Sequence, residues 1–204
     1  MTADYLSTVA HNLRHLAMLT PPQPKRNLAS HGTRIPMTED DPYLGSRVRW
    51  GSIPEGRGGT MRTMQTMAQL AHEATHDPVF IKFARQFSGI QDLESWTRDH
   101  FVYQDEHEEL IRTPRFMLED MGRVSGTQVV GLQGDCDDVA TFLAAAARVL
   151  GYPARLVAIR VNASSPDFEH VFAQANVQGE WATLDPTVDI GTDIRSLEDM
   201  IVNV

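Results

Sequence analysis

Three side chains in this sequence have the types, order and local settings needed for nucleophilic acyl chemistry: Cys136, His170 and Asp185. Cys136 is the only cysteine, and it follows Gly131-Leu132-Gln133-Gly134-Asp135. Behind it runs Val139-Ala140-Thr141-Phe142-Leu143-Ala144-Ala145-Ala146-Ala147, apolar on nearly every face, which predicts a buried helix. A thiol at the N-terminus of such a helix meets backbone N–H groups and the positive end of the dipole, which favour the thiolate. His170 opens a strand-like run and Asp185 closes the next one, with Gln178-Gly179 as a hairpin turn between them. Hairpin geometry brings the start of one strand beside the end of the other. The expected roles are nucleophile, general base and orienting carboxylate. The backbone N–H of Cys136 is the candidate oxyanion donor, with Gln133 a weaker second.

The same stretch has structural readings. A lone cysteine also fits as a small buried hydrophobe. Asp135 is a good N-cap, and Asp138 completes a variant capping box. Asp135, Asp137 and Asp138 together crowd the thiol with negative charge, which opposes the helix effect. Gly131 and Gly134 are expected to loosen the backbone ahead of the thiol.

Metal chemistry has one rival motif. His72-Glu73-Ala74-Thr75-His76 matches H-E-x-x-H, which on a helix would set two imidazoles on one face with Glu73 as the base of a zinc protease. Asp77-Pro78 follows at once, so His76 falls at a helix end, and Glu94 as third ligand has no supporting pattern. Histidines at a helix C-terminus are favourable there without a metal. His11 and His15 are also spaced i, i+4, and read as surface polar positions.

The elements that must position these groups follow from periodicity. An amphipathic helix is expected over 4–19, broken by Pro21-Pro22-Gln23-Pro24. Residues 25–59 read as an extended arm with one strand at 46–50. Helices are expected from Thr60 to Pro78, then at 79–87, 92–101 and 115–121; residues 101–109 read as a transition into acidic loop. Gly151 and Pro153 end the helix behind Cys136. Alternation then predicts strands at 154–161, 170–175 and 180–184. Helices followed by antiparallel strands indicate an α+β fold. The division is an N-terminal helix and arm over 1–58 and a catalytic domain over 59–204.

Gly-Asp-Cys-Asp-Asp before a helix, a strand opened by His170, and Gly179-Glu180-Trp181 leading to Leu184-Asp185-Pro186-Thr187 resemble the transglutaminase-like superfamily of papain-type folds. The nearest branch is that of the bacterial transglutaminase-like cysteine proteinases, over roughly Gly59 to Gly191. The resemblance implies N-terminal helices with the nucleophile on a central helix packed on an antiparallel sheet. It implies a Cys136-His170-Asp185 triad acting on amide bonds. In that branch acids flanking the nucleophile bind calcium, and Asp135 and Asp137 match those positions; the thiol chemistry itself requires no cofactor. True transglutaminases often flank the nucleophile with aromatic residues, so aspartates there weigh toward hydrolysis rather than cross-linking.

Composition narrows the partners. The chain has 204 residues and a net charge of −9, which argues against nucleic acid or an anionic membrane surface. No window reaches a membrane span, and the start of the chain lacks the pattern of a secretory signal, so the expected compartment is the cytoplasm, a phage-encoded origin included. The leading expectation is a cysteine peptidase or amidase with a protein or peptide substrate. The alternatives are a catalytically silent domain of the same fold serving a binding or structural role, with the arm docking a protein partner, and the zinc protease.

Overall fold

The computed structural model describes residues 48–50, 56–104, 110–121, 124–125, 128–129, 131–165, 167–189 and 196–204. The helix expected over 4–19, His11 and His15 with it, and most of the expected arm lie outside the described residues. The helices are α1 (Arg57–Ala74), α2 (Pro78–Ala84), α3 (Ile90–His100), α4 (Pro114–Met121) and α5 (Cys136–Val149). The strands are β1 (Val48–Trp50), β2 (Phe101–Tyr103), β3 (Leu110–Arg112), β4 (Val124–Ser125), β5 (Gln128–Val129), β6 (Leu132–Gly134), β7 (Ala154–Arg160), β8 (His170–Val177), β9 (Glu180–Leu184) and β10 (Glu198–Asn203). Helices come first and an antiparallel sheet follows, as the α+β reading requires.

The sheet has the order β10-β7-β8-β9, antiparallel throughout. Strand β8 alternates: Val171, Ala173 and Ala175 are buried, while His170, Phe172 and Gln174 are half-buried on the other face. Helix α5 packs across β8 and β7 on the buried side, and α1 packs on α5. Burial explains why an alanine-rich run is a helix here: Asp138 through Ala147 are all buried. Phe142 meets Phe80 edge to face at 5.3 Å and Phe83 at 5.7 Å. Truncating so enclosed a ring typically costs about 3–5 kcal/mol. The hairpin turn is Gln178-Gly179, with φ of 55° and 97°, the left-handed pair that lets a two-residue loop follow the strand twist.

Several elements depart from expectation. Residues 101–103 form a strand, parallel to β6, which pairs Tyr103 with Gly134. Tertiary pairing overrides the loop-like composition of that segment. The strand expected at 46–50 is present as β1 (Val48–Trp50), paired antiparallel with β3. The C-terminal strand β10 was not expected at all. No helix among the described residues is long and apolar enough to cross a membrane.

Candidate functional site

The loop before Cys136 is fixed by packing, not loosened. A Cβ on Gly131 would lie 2.0 Å from the His100 carbonyl oxygen, and one on Gly134 would lie 2.4 Å from Asp138 Oδ2. Both glycines therefore serve close approach, of a helix end in one case and of a buried carboxylate in the other. Asp135 caps α5: its Oδ1 accepts from Asp137 N at 3.0 Å and from Asp138 N at 3.4 Å, and the capping box with Asp138 is complete. The N–H of Cys136, first in the helix, is left out of that cap. Asp138 is fully buried, accepting Arg112 N at 2.6 Å through Oδ1 and pairing its Oδ2 with the Arg112 guanidinium. Burial raises its pKa to about 7, against the opposing pull of Arg112.

His170 and Asp185 are brought together. His170 Nε2 and Asp185 Oδ2 lie 2.6 Å apart, with Asp185 only 3% exposed. The register explains it. Ala173 pairs with Leu184, so one further step sets Asp185 across from Phe172, on the same face as His170 and diagonal to it. Burial alone would raise the Asp185 pKa, but hydrogen bonds from His170 and Thr187 overcome it and hold the carboxyl below its ordinary value. Thr187 donates its N–H (3.0 Å) and its hydroxyl (2.6 Å) to Oδ1. Arg98 donates to the carbonyls of Asp185 and Val188, both at 2.6 Å, and pairs with Glu94 at 2.9 Å, tying α3 to this turn. Thr187 and Arg98 were not singled out in the sequence. The first has a signal there, since Asp-Pro-Thr suits an Asx-turn; the second has none.

Cys136 reaches β8 one residue further on. Asn176 N–H donates to Pro153 on the β7 side, so the odd-numbered amides of β8 face β9. β9 stops at Leu184, and where the register would call for Pro186, the Val171 N–H donates to the Cys136 sulfur instead. The thiol itself donates to Asp137 Oδ1 at 3.6 Å. No hydrogen bond among the described residues joins it to His170. The expectation of a favoured thiolate is corrected: burial first, then the charges of Asp137 and Asp135, push the Cys136 pKa well above the ordinary thiol range, and the Val171 amide only softens this.

Gln133 sits on β6 between two buried neighbours, half-buried, paired with Val102. The ligating atoms of Asp135, Cys136 and Asp137 lie within 4.8 Å of one another. Two carboxylates this close suit a hard cation such as calcium, with the soft sulfur outside its oxygen set. The zinc motif does not assemble. The His72 and His76 rings are 4.9 Å apart, but His76 lies beyond the end of α1 with Nδ1 against the His72 carbonyl, and Glu73 takes a hydrogen bond from Gln69. Glu94 is engaged with Arg98. Among the described residues, the one group of three or more metal-ligating side chains is that at Cys136.

A family model for the transglutaminase-like superfamily matches residues 81–186, from α2 through the residue after Asp185. The chain belongs to that superfamily. Its fold is accordingly the papain-type, transglutaminase-like one, with the helix carrying Cys136 packed on the antiparallel sheet. No curated protein matches the chain. Among solved structures, a protein from Cytophaga hutchinsonii named as a candidate cysteine protease aligns with a TM-score of 0.36 and 20% identity, over 61% of this chain and 37% of its own length.

Proposed function

We propose that the protein is a cysteine peptidase or amidase acting on protein or peptide amide bonds, with Cys136, His170 and Asp185 as its catalytic residues. The observation that carries this is the 2.6 Å His170–Asp185 bond, one residue along β8 from Val171, whose amide meets the Cys136 sulfur. Asp185 engages Nε2 and leaves Nδ1 as the base. A turn of the Cys136 side chain away from Asp137 gives its proton to Nδ1. Sγ then bonds to the substrate carbonyl carbon, and the oxyanion takes the Cys136 N–H. The C–N bond breaks as His170 returns the proton to the leaving amine, giving a thioester. Water adds to it with His170 again as base, releasing the acid and restoring the thiol. When calcium is bound, Asp135 and Asp137 would hold it, and its charge would offset theirs.

The test is hydrolysis of a peptide pool by wild type, C136A and H170A. Activity should vanish in both variants. Full activity in C136A would sink the proposal. A second reading has its own observation: the thiol bonds to Asp137 rather than to the imidazole, as in a silent domain retained for binding. Slow labelling of Cys136 by a peptide vinyl sulfone, unchanged in H170A with or without calcium, would favour it.

A further inference from the structure

The sheet face that carries His170 and Asp185 also floors a groove of about 650 Å³, walled by α3 and by residues 188 and 189. Val157, Ile159 and Phe172 form its apolar floor, and Asp185 lines it. We infer that this groove seats the substrate, and that Asp199 and Asp189 on its walls select a peptide with an arginine or lysine side chain. The inference rests on the peptidase reading.

Charge decides the occupant. Among the described residues, both arginines lining the groove are already engaged. Arg98 holds Glu94 and two carbonyls, while Arg155 donates to Gln174 at 2.8 Å and stacks on Trp181 at 4.0 Å. Asp189 and Asp199 also line the groove, and both are exposed with no hydrogen-bond or ion-pair partner among the described residues. Among the described residues the uncompensated charge is thus negative, over an apolar floor. A cationic side chain with an aliphatic stem complements both.

The register sets the distance. Asp199 pairs with Ile159, and Ile159 pairs with His170, so the three form one row across the sheet. Two strand spacings separate Asp199 from His170, about 10 Å. An extended peptide advances about 3.3 Å per residue, so the side chain read by Asp199 lies within about three positions of the amide at His170.

The test uses two pools of nine-residue peptides, identical except for arginine or its neutral isostere citrulline at one position. Binding to the C136A protein is read by fluorescence anisotropy, and hydrolysis by the wild type in parallel. The arginine pool should bind about threefold more tightly per carboxylate, about tenfold for the two, with the preference falling as salt rises. D199N/D189N should abolish the preference, and D199K/D189K should transfer it to a glutamate pool; both residues are exposed, and thermal melts confirm folding. Equal binding of the two pools, or a preference surviving in D199N/D189N, overturns the inference. If the arginine preference holds while neither pool is cut, the groove stands and the peptidase reading falls. If both pools are cut equally without a binding preference, the peptidase reading stands and the groove assignment falls.

Discussion

The His170–Asp185 pair lies on the face of the sheet opposite the one that the Cys136 helix covers. The thiol and the imidazole can therefore meet only around the end of β8, where β9 has stopped and the Val171 amide turns to sulfur. This divides the candidate site into a part fixed by strand register and a part that, in the proposed reaction, turns the thiol away from Asp137.

The register-fixed part predicts a strong effect of Asp185→Asn. The amide cannot hold the same imidazole tautomer, so kcat should fall about a hundredfold or more while substrate affinity changes little. Stability gives a second readout. A depressed carboxyl contributes stability above its unfolded value near 3.9 and loses it as pH falls through the folded pKa. Urea midpoints of the wild type should drop below about pH 4, and D185N should flatten that drop.

The rotating part predicts how the thiol reacts. With its pKa raised by burial and by Asp137 and Asp135, Cys136 should alkylate slowly at neutral pH and faster as pH rises. Asp137→Asn removes the acceptor and one charge. Its rate profile should move to lower pH, giving about tenfold faster labelling by iodoacetamide at pH 7 for each unit of downward shift. Asp135→Asn should act in the same direction while keeping a good N-cap. An unchanged profile in both variants would remove the aspartates as the cause.

Legibility in the sequence followed how local each cause was. Gln178-Gly179 names its own turn, so β8, β9 and the His170–Asp185 pair followed from it. Asp135 and Asp138 name their own cap. Gly131 and Gly134 misled, because their partners, the His100 carbonyl and the Asp138 carboxylate, become neighbours only on folding. β10 escaped because its outward Ile201 blurs the alternation of Met200 and Val202, and with it went Asp199 and the groove. The proposed link from Cys136 to His170 depends on a rotamer, which spacing cannot encode.

Asp138 makes stability depend on pH in the opposite sense to Asp185. Its folded pKa is raised to about 7 by burial. Its contribution is full below the unfolded value near 3.9 and is lost as pH rises through the folded one. The difference in unfolding free energy between wild type and Asp138→Asn should therefore shift against the wild type from about pH 4 to about pH 7 and level off above. Chemical denaturation at unit pH intervals reads this directly. Arg112→Met should raise the Asp138 value further and move the end of the slope to higher pH, since Arg112 is what opposes burial there.

The two close-approach glycines should tolerate nothing larger. In Gly134→Ala the new methyl would meet Asp138 Oδ2 at 2.4 Å and Asp138 Cβ at 2.6 Å, and Arg112 holds that carboxylate from the other side, so it cannot retreat. In Gly131→Ala the obstacle is the backbone carbonyl of His100, at the end of α3. Each should destabilise by about 1–3 kcal/mol, the cost of overpacking. Gly58 is the control. It lies in the first turn of α1, and a methyl there would have nothing within 4 Å, so Gly58→Ala should stabilise by about 0.4–1 kcal/mol. Thermal melts should set Gly58→Ala above the wild type and both other variants below it. Gly134→Ala should also slow labelling of Cys136 by a peptide electrophile, because the displaced Asp138 is the second half of the cap that sets where the helix, and with it the thiol, begins.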